Sequence, residues 1–193
     1  KAESKMSKYA SNDTLLYPGT STLINHFDIK NSDKLDEVEA AFVALRTLEL
    51  REQPLPRTFD FVYLQALHCH LSQDIYAWAG EIRHVDITKG SSRFANVNQI
   101  TPYTTKITDK LKAENLLNGL NKETFTAKAA YYMSELNAIH PFREGNGRTI
   151  REYIYHLALQ AGYQLSWDHI DSDTMINAAI DSYHGNLEPL IKL

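Results

Sequence analysis

Features that would define several other protein classes are scarce in this chain of 193 residues. Cys69 is its only cysteine, so an intrachain disulfide and a four-cysteine metal site are both excluded. No apolar run approaches the ~20 residues that span a bilayer, and no segment resembles the apolar region of a signal peptide. These absences predict a soluble protein of a reducing compartment, with the cytoplasm as the simplest location and no membrane partner.

An excess of positive charge is also lacking. Lys and Arg number 20 against 24 Asp and Glu, which gives a formal net charge of -4 and a pI of about 6.1. Because nucleic-acid backbones are bound by clustered excess cations, we expect no direct nucleic-acid binding. The hydrophobic fraction of 43% is ordinary for a globular protein, and the length fits a single domain.

The N-terminus begins with KAESKMSKY, and Lys1 stands where a complete protein would have Met. Residues 1–5 are therefore predicted to be either a tag remnant or part of a longer sequence. We predict that residues 1–30 form an N-terminal extension and that residues 31–193 form the folded domain.

Apolar spacings of three and four residues predict a mainly helical domain. The first helix is predicted to follow Asn31, with Ser32 as its N-cap, and to end before Pro54. Its predicted buried face comprises Leu35, Val38, Phe42, Leu45 and Leu48. Further helices are predicted over residues 59–72, 101–117, 122–139, 147–160 and 171–181, and residues 74–80 are predicted to form one or two helical turns.

One segment breaks the helical period. Ile82, Val85 and Ile87 are β-branched and precede the turn sequence KGSS, after which Phe94 and Val97 resume an apolar pattern. This pattern predicts a short β-hairpin, so the predicted fold class is all-α with one hairpin.

The stretch NAIHPFREGNGRTIREY concentrates polar groups around two glycines. Pro141 disfavours the α conformation at His140, which favours a helix end there. Gly145 and Gly147 permit positive φ, which lets successive backbone N–H groups turn inward around an anion. The next helix, predicted to begin at about Gly147 or Arg148, adds its own free N–H groups and the positive end of its dipole.

The charged side chains of this stretch also fit phosphate chemistry. Arg148 and Arg151 lie on one face of the first helical turn, where two cations are unfavourable unless an anion offsets them. Glu144 is an oxygen ligand of the kind that Mg²⁺ uses together with substrate phosphates, and Asn146 can fix phosphate or metal geometry. His140, with an ordinary pKa of ~6.5, is the candidate general base.

The residues HPFREGNGRTIR match the HxFx(D/E)GNGRxxR signature of the Fic (filamentation induced by cAMP) family at every defined position. The segment DIYAWAGEIRHVDITKGSSRFANVNQI resembles the family's upstream segment and its hairpin "flap". The chain is most similar to the Bartonella-type Fic toxins and secreted effectors. This resemblance implies a helical Fic bundle with a flap at about residues 82–97 beside a catalytic loop at residues 140–151.

The resemblance implies a protein adenylyltransferase, which transfers AMP from ATP to a Tyr, Thr or Ser hydroxyl of a target protein and releases pyrophosphate. His140 would be the base and Glu144 would hold Mg²⁺. The loop residues expected at the ATP site are Phe142 as a buried anchor, Arg143, Gly145, Asn146, Gly147, Arg148 at the β-phosphate and Arg151 at the γ-phosphate. The flap residues expected to dock the target are Lys89, Gly90, Ser92, Arg93, Phe94 and Ala95.

Family members are often inhibited by a helix carrying (S/T)xxxE(G/N), whose glutamate pairs with the second arginine of the motif, here Arg151. Glu114 and Glu144 are the only glutamates that precede Gly or Asn. Neither fits, because Lys110 and His140 stand four residues before them. The resemblance therefore predicts either a separate small antitoxin chain or an inhibitory part that this sequence lacks.

The same resemblance suggests type II topoisomerases, gyrase and topoisomerase IV, as first candidate targets. It leaves two locations, the bacterial cytoplasm or, after secretion, a host or recipient cell. Two other functions remain open: a Fic-fold transferase of another phosphate-containing group, and a peptide-binding module without catalysis.

Two further groups of residues have a structural and a functional interpretation. His68 and His70 flank Cys69, but an i, i+2 spacing puts them on different faces of a helix, so we predict structural roles rather than a zinc site. Most tyrosines are predicted core residues. Either one of the later tyrosines, or Asn177 together with Tyr183, is expected to line an adenine pocket.

Overall fold

The structure, a computed structural model, describes residues 13–90 and 92–193. The predicted terminal remnant at residues 1–5 lies outside this range. The described elements are α1 (Ser32–Glu52), α2 (Phe61–Ser72), β1 (Thr88–Lys89), β2 (Ser92–Arg93), α3 (Val97–Ala113), α4 (Lys122–Ile139), α5 (Asn146–Gln160), α6 (Ser172–Tyr183) and α7 (Glu188–Lys192). Helices joined by short loops, with one two-stranded antiparallel sheet, confirm the predicted all-α class with a hairpin.

Side-chain caps determine where several helices begin. Asn31, Asp60, Asn121 and Asp171 each accept a hydrogen bond from the backbone N–H three residues further on. Such caps satisfy backbone donors that a helix leaves free in its first turn. The cap of α1 is therefore Asn31, and the prediction of Ser32 as the cap was wrong by one residue.

The main core lies between α2, α4 and α5. The predicted apolar face of α2 is confirmed, since Phe61, Leu64, Leu67 and Leu71 are all buried. α5 packs against both α2 and α4, and α3 packs against the other side of α4. The core residues that are completely buried include Leu50, Phe59, Leu64, Leu67, Ile100, Leu117, Phe142, Tyr153, Leu157 and Ala158. The catalytic loop predicted from the sequence therefore connects the two central helices.

The predicted buried face of α1 is only partly correct. Leu35 is buried, but Leu45 and Leu48 are 51% and 64% exposed. Glu39 is buried instead, because its carboxylate pairs with Arg148 of α5. The buried residues of α1 are Leu35, Glu39 and Leu50, so its buried face includes a charged residue that apolar spacing did not predict.

Several other predicted elements and boundaries also differ from the structure. Residues 74–80 form turns rather than helix. α3 begins at Val97, where the Asp86 carboxylate accepts a hydrogen bond from the Val97 N–H, and it ends at Ala113. The chain then passes through a short 3₁₀ turn at Asn115–Leu117, in which all three residues have positive φ. α7 was not predicted.

Residues 13–30 pack against the helices. Leu23 joins a second apolar cluster with Leu35 and Trp78, and the His26 N–H donates to the Ile75 carbonyl at 2.9 Å. The N-terminal extension predicted from the sequence is thus, from residue 13 on, part of the packed unit. No helix in residues 13–90 or 92–193 combines the length and apolarity that crossing a bilayer requires.

Candidate active site

Two adjoining cavities lie where the 140–151 loop meets the hairpin and α6. The first, with a volume of about 290 Å³, has mainly apolar walls from α4, α5 and α6 and is called the apolar cavity below. The second, of about 420 Å³, reaches Arg148 and Trp167 and is called the polar cavity. Residues lining both are Lys89, Glu144, Gly147, Arg151, Met175 and Ile176. A ligand that filled both would therefore run past the start of α5.

His140 lies at the end of α4 and lines the apolar cavity. Its backbone is left-handed, with φ 52° and ψ 62°, so the helix stops there as Pro141 predicts. The ring Nδ1 lies 3.2 Å from the Asn137 carbonyl oxygen. Since a carbonyl only accepts, Nδ1 carries the proton and Nε2 keeps a free lone pair. Burial lowers the pKa of His140 to about 4, so the ring is neutral at physiological pH.

The loop is closed by Asn146. Its side-chain oxygen accepts from the Phe142 N–H at 2.9 Å, and its side-chain N–H donates to the Phe142 carbonyl at 2.8 Å. Gly145 adopts φ 78° just before α5, a conformation that favours glycine. Gly147 already lies in the first turn of α5, so the expected positive φ occurs only at Gly145.

His68 holds this loop from α2. The ring is completely buried and stacks on Phe142, with centroids 4.0 Å apart. Its Nδ1 accepts from the Gly80 N–H at 2.8 Å, so Nε2 carries the proton and donates to the Glu144 carbonyl at 3.0 Å. A Cβ at Gly145 would lie 3.3 Å from that Nε2. Burial lowers the pKa of His68 to about 4, which keeps this neutral arrangement.

The two histidines beside Cys69 do face different neighbours, as predicted from their spacing. The Nε2 of His70 lies 3.1 Å from the Arg46 carbonyl on α1, whereas His68 faces the catalytic loop. From the sequence we predicted only a general structural role for His68. Its specific role in fixing the loop was missed, because the contact joins residues 76 positions apart.

Glu144 is half-buried and lines both cavities. One carboxylate oxygen accepts from the Gly145 N–H at 3.2 Å. In the described part of the chain no group of three or more His, Cys, Asp or Glu side chains is placed to hold a metal ion. A single carboxylate fits the way Mg²⁺ is bound when substrate phosphates and water supply most of its ligands.

Arg148 and Arg151 differ in their partners. Arg148 forms an ion pair of 2.8 Å with Glu39, whose other oxygen accepts from the Tyr76 hydroxyl. Arg151 lines both cavities, and no carboxylate of the described residues lies within ion-pair distance of it. Burial and the neighbouring Arg148 lower the pKa of Arg151. Arg151 is thus a partly desolvated cation facing both cavities.

Two predicted loop ligands lie away from the cavities. The Arg143 side chain is only 1% exposed, forms an ion pair with Asp13, and lines neither cavity. This geometry does not support the prediction that its side chain binds phosphate. Phe142 is completely buried and packs on His68, as the predicted anchor role requires.

The hairpin pairs Thr88 with Arg93 and Lys89 with Ser92, so it is much shorter than the predicted residues 82–97. The hairpin residues that line the apolar cavity are Lys89, Gly90, Ser92 and Phe94. Arg93 and Ala95, also predicted to dock the target, do not line either cavity. The Tyr183 hydroxyl accepts from the Arg93 N–H at 3.0 Å and donates to the Arg93 carbonyl at 2.5 Å.

Of the two residues named for an adenine pocket, Asn177 and Tyr183, one lines the apolar cavity. Tyr183 lines the apolar cavity, whereas Asn177 is exposed and does not. Tyr153 is a core residue whose hydroxyl donates to the Phe59 carbonyl at 2.9 Å. The apolar lining that the sequence did not identify comprises Met133, Ile150, Met175, Ile176, Ala179, Ile180 and Leu190.

Comparison with known proteins places this geometry in a family. A profile of the Fic/DOC family matches residues 58–158. The chain is 45% identical over 182 residues to the protein adenylyltransferase VbhT of Bartonella schoenbuchensis, covering 94% of this chain but only 38% of that protein. It is 37% identical to the probable protein adenylyltransferase y4lH of Sinorhizobium fredii, covering 94% and 93% of the two chains.

Solved structures share the fold over nearly the whole chain. The BepC effector protein of Bartonella tribocorum, crystallised with AMPPNP, has a TM-score of 0.86 at 31% identity and covers 93% of both chains. A Fic domain from Bartonella quintana with bound ADP also has a TM-score of 0.86, at 33% identity over 93% of this chain and 91% of that one. Together with the complete loop motif, these similarities show that the chain belongs to the Fic/DOC family.

Proposed function

We propose that this protein is a protein adenylyltransferase, which transfers AMP from ATP to a hydroxyl side chain of another protein. One observation carries the proposal. The apolar cavity is lined both by His140, a neutral histidine with a free ring nitrogen, and by Arg151, a cation without a carboxylate partner among the described residues. A base and an anion receptor in one cavity suit the attack of a hydroxyl on a nucleotide phosphate.

The two cavities suggest how ATP is bound. The adenine would occupy the apolar cavity against Met133, Ile150 and Tyr183, and the phosphates would pass over the N-terminus of α5 into the polar cavity. There the free N–H groups at the start of α5, with Arg148 and Arg151, would bind the phosphate oxygens. Glu144 would hold a Mg²⁺ ion, which would supply positive charge beside the phosphates.

The proposed reaction is a single displacement at the α-phosphorus of ATP. The target hydroxyl oxygen forms a bond to the α-phosphorus of ATP, the bond from that phosphorus to the bridging oxygen breaks, and pyrophosphate leaves. The hydroxyl proton moves to Nε2 of His140, whose Nδ1–H remains bound to the Asn137 carbonyl. Arg148 and Arg151 stabilise the charge that develops on the leaving group.

The hairpin offers one edge to a protein target. The Phe94 N–H donates to the Ile87 carbonyl at 3.3 Å, so these two residues form a hydrogen-bonded pair. Hydrogen-bonded and non-hydrogen-bonded pairs alternate along an antiparallel ladder, so the backbone groups of the next pair, Thr88 and Arg93, point outward. The backbone N–H and carbonyl of Arg93 are both bonded to the Tyr183 hydroxyl. We therefore propose that an extended segment of the target pairs with the edge at Thr88.

The regulation, target and location are also proposals. Arg151 would bind the glutamate of a separate small antitoxin carrying (S/T)xxxE(G/N), because its guanidinium lacks a carboxylate partner among the described residues. Type II topoisomerases, gyrase and topoisomerase IV, are the first targets to examine. The protein would act in the bacterial cytoplasm or, as an effector, after secretion into a host or recipient cell.

Labelled nucleotide distinguishes the candidate functions. The protein is incubated with Mg²⁺, a bacterial lysate and ATP labelled on either the α- or the γ-phosphate. Label from the α-position on a protein band supports adenylylation, and label from the γ-position only would show a kinase instead. Transfer from labelled CDP-choline alone would favour another Fic-fold transferase. If no label is transferred, the protein would be assigned as a peptide-binding module without catalysis.

Matched variants test the base. His140→Ala should abolish α-label transfer while ATP binding is retained, because the ring supplies proton transfer rather than nucleotide affinity. The control is His169→Ala, which alters an exposed histidine outside both cavities. Equal transfer by the two variants would refute the role of His140. A tight complex with a co-encoded small protein would support the antitoxin, and activity unaffected by such a protein would count against it.

A further inference from the structure

Arg83 is a buried cation that the proposed reaction does not use. Arg83 is 1% exposed and lies between the segments that flank the hairpin and the C-terminus of α4. Nε donates to the His140 carbonyl at 2.8 Å and Nη1 to the Val85 carbonyl at 2.7 Å. Nη2 donates to the carbonyl of Ala95 and, at 3.3 Å, to that of Ile139. One guanidinium thus binds four carbonyls from three segments of the chain.

The hydrogen-bond acceptors around this charge are neutral carbonyls, and a carboxylate lies further away. The nearest carboxylate, Asp86, lies 3.8 Å away and is 53% exposed. The carbonyls of Ile139 and His140 belong to the end of α4, where the helix dipole is negative and favours a cation. Burial lowers the pKa of Arg83, and breaking these bonds would leave a buried cation without its acceptors, which is costly. A planar fork of donors reaches all four oxygens, which the single ammonium of lysine cannot do.

The Arg83 contacts hold the segment that carries Phe94. Ala95 is bound on both sides, because its N–H donates to the Ala138 carbonyl at 3.2 Å and its carbonyl accepts from Arg83. The preceding residue, Phe94, places its ring on the ring of His140, with centroids 3.7 Å apart. Arg83 therefore bonds to the backbone of His140 and to the backbone of Ala95, which directly follows Phe94.

We propose that Arg83 is a positioning residue that joins the hairpin to the catalytic histidine. Its guanidinium holds Val85, shortly before the hairpin, and Ala95, shortly after it, against the carbonyl end of α4, and so keeps Phe94 on the ring of His140. Movement of the hairpin is thereby linked to the orientation of the proposed base. The consequence for catalysis rests on the proposed function of His140, but the positioning itself is measurable without any reaction.

The first test measures ring position by NMR. A ring stacked face to face is shifted upfield by the ring current of its partner, so the His140 ring protons should be upfield of those of the exposed His169. Arg83→Lys and Arg83→Met should move them downfield toward the values of Phe94→Ala, which lacks the stacking ring. Arg46→Met is the control, because it removes a guanidinium bonded to Asp74 and Glu49 in another part of the protein.

Hydrogen exchange on the unaltered protein covers the case in which neither Arg83 variant folds. The Nε–H of Arg83 and the N–H of Ala95 should exchange as slowly as the amides of α4. Exchange of either group at the rate of the exposed hairpin would overturn the proposal. The same is true of an Arg83→Lys variant that folds and retains the upfield shift of His140.

Kinetics separates positioning from a general loss of stability. For Arg83→Lys we expect kcat for target adenylylation to fall about 100-fold, the order that a displacement near 1 Å costs, with ATP affinity kept within about threefold. Arg46→Met should lower the unfolding temperature without this loss of kcat. If the wild type shows no adenylylation while the NMR shifts follow the expected pattern, the proposed function fails and the positioning role stands. Unchanged kcat in Arg83→Lys would remove the catalytic consequence.

Discussion

The ring of Phe94 lies on the ring of His140, with centroids 3.7 Å apart and planes inclined by 10°. This contact covers one face of the histidine, while the Asn137 carbonyl holds the proton on Nδ1. Burial lowers the pKa of His140 to about 4, so the free Nε2 remains unprotonated over the physiological range. Phe94, which follows the hairpin, therefore contributes to the burial that keeps the proposed base neutral.

Removing the Phe94 ring should change the pH dependence of activity. Phe94→Ala exposes the His140 ring to water, so its pKa should rise from about 4 toward the ordinary value of ~6.5. Because only the neutral ring can accept a proton, activity at mildly acidic pH should then fall more than activity at pH ~8. An NMR titration of the His140 ring and a pH profile of kcat/KM would measure the two effects.

The control for this variant is Phe27→Ala, which removes a phenylalanine that is 46% exposed and lies outside both cavities. Its pH profile should match that of the wild type. A Phe94→Ala protein whose His140 still titrates near the wild-type pKa would show that the stack does not control protonation.

The two arginines of the loop should respond differently to substitution by methionine. Arg148→Met leaves the Glu39 carboxylate, which is 5% exposed, without its cation, so unfolding free energy should fall by about 2 kcal/mol. Arg151→Met removes a partly buried cation whose pKa burial has lowered, so stability should be unchanged or higher. ATP affinity should nevertheless fall at least about tenfold, the usual effect of losing a hydrogen bond to a charged group.

Urea unfolding with and without ATP measures both quantities on the same samples. The expected signature is a stable Arg151→Met protein that ATP no longer stabilises. If Arg151→Met were the less stable variant and bound ATP normally, the assignment of distinct roles would be wrong.

His68 should make stability depend on pH. Its folded-state pKa of about 4 lies below the unfolded value of ~6.5, so between these values the unfolded chain binds a proton that the folded protein does not. The contribution of His68 is fully present above pH ~6.5 and decreases as the pH falls to ~4, by an amount on the order of 3 kcal/mol. His68→Gln keeps a donor for the Glu144 carbonyl but does not titrate.

Urea unfolding of both proteins at several pH values between ~4 and ~7 checks this dependence. The wild type should lose stability more steeply than His68→Gln as the pH falls. Parallel curves would mean that protonation of His68 is not linked to unfolding.

The ion pair of Asp13 with Arg143 should contribute strongly to stability. Both side chains are at most 2% exposed, so Asp13→Ala would take a carboxylate from a buried guanidinium and should cost about 3 kcal/mol. Asp28→Ala is a matched control, because Asp28 pairs with Lys30 at the surface, where the side chains are 74% and 61% exposed. That substitution should change the unfolding free energy by less than about 0.5 kcal/mol. Equal effects in urea unfolding would contradict the buried role of Asp13.

Local signals predicted most of the helices. α4 has the predicted boundaries, and the buried face of α2 is correct, because apolar periodicity reports burial when one face of a helix meets the core. The same rule failed for α1, where Glu39 is buried against Arg148 while Leu48 stays exposed. Periodicity carries no information about a polar partner that is distant in the chain.

The loop was more predictable than its surroundings. Pro141 restricts the backbone of His140, and Gly145 permits the positive φ before α5, so the end of α4 and the approximate start of α5 follow from neighbouring residues. The roles of His68 and Arg83 could not be predicted, since their partners lie 76 and 57 residues away along the chain. For Arg143 the family resemblance implied a place at the ATP site, and the folded chain pairs its side chain with Asp13, 130 residues away.

The sequence by itself determined the helical class, the glycine turn and the set of chemical groups in the loop, because these depend on local backbone preferences and on residue type. Only the tertiary structure decided which groups meet. It placed Phe94 on His140, paired Arg148 with Glu39, and left Arg151 facing the cavities without a carboxylate partner among the described residues. Burial and charge compensation arise from packing between distant segments, and through them Arg148 also stabilises the fold by pairing with Glu39, whereas Arg151 faces the cavities.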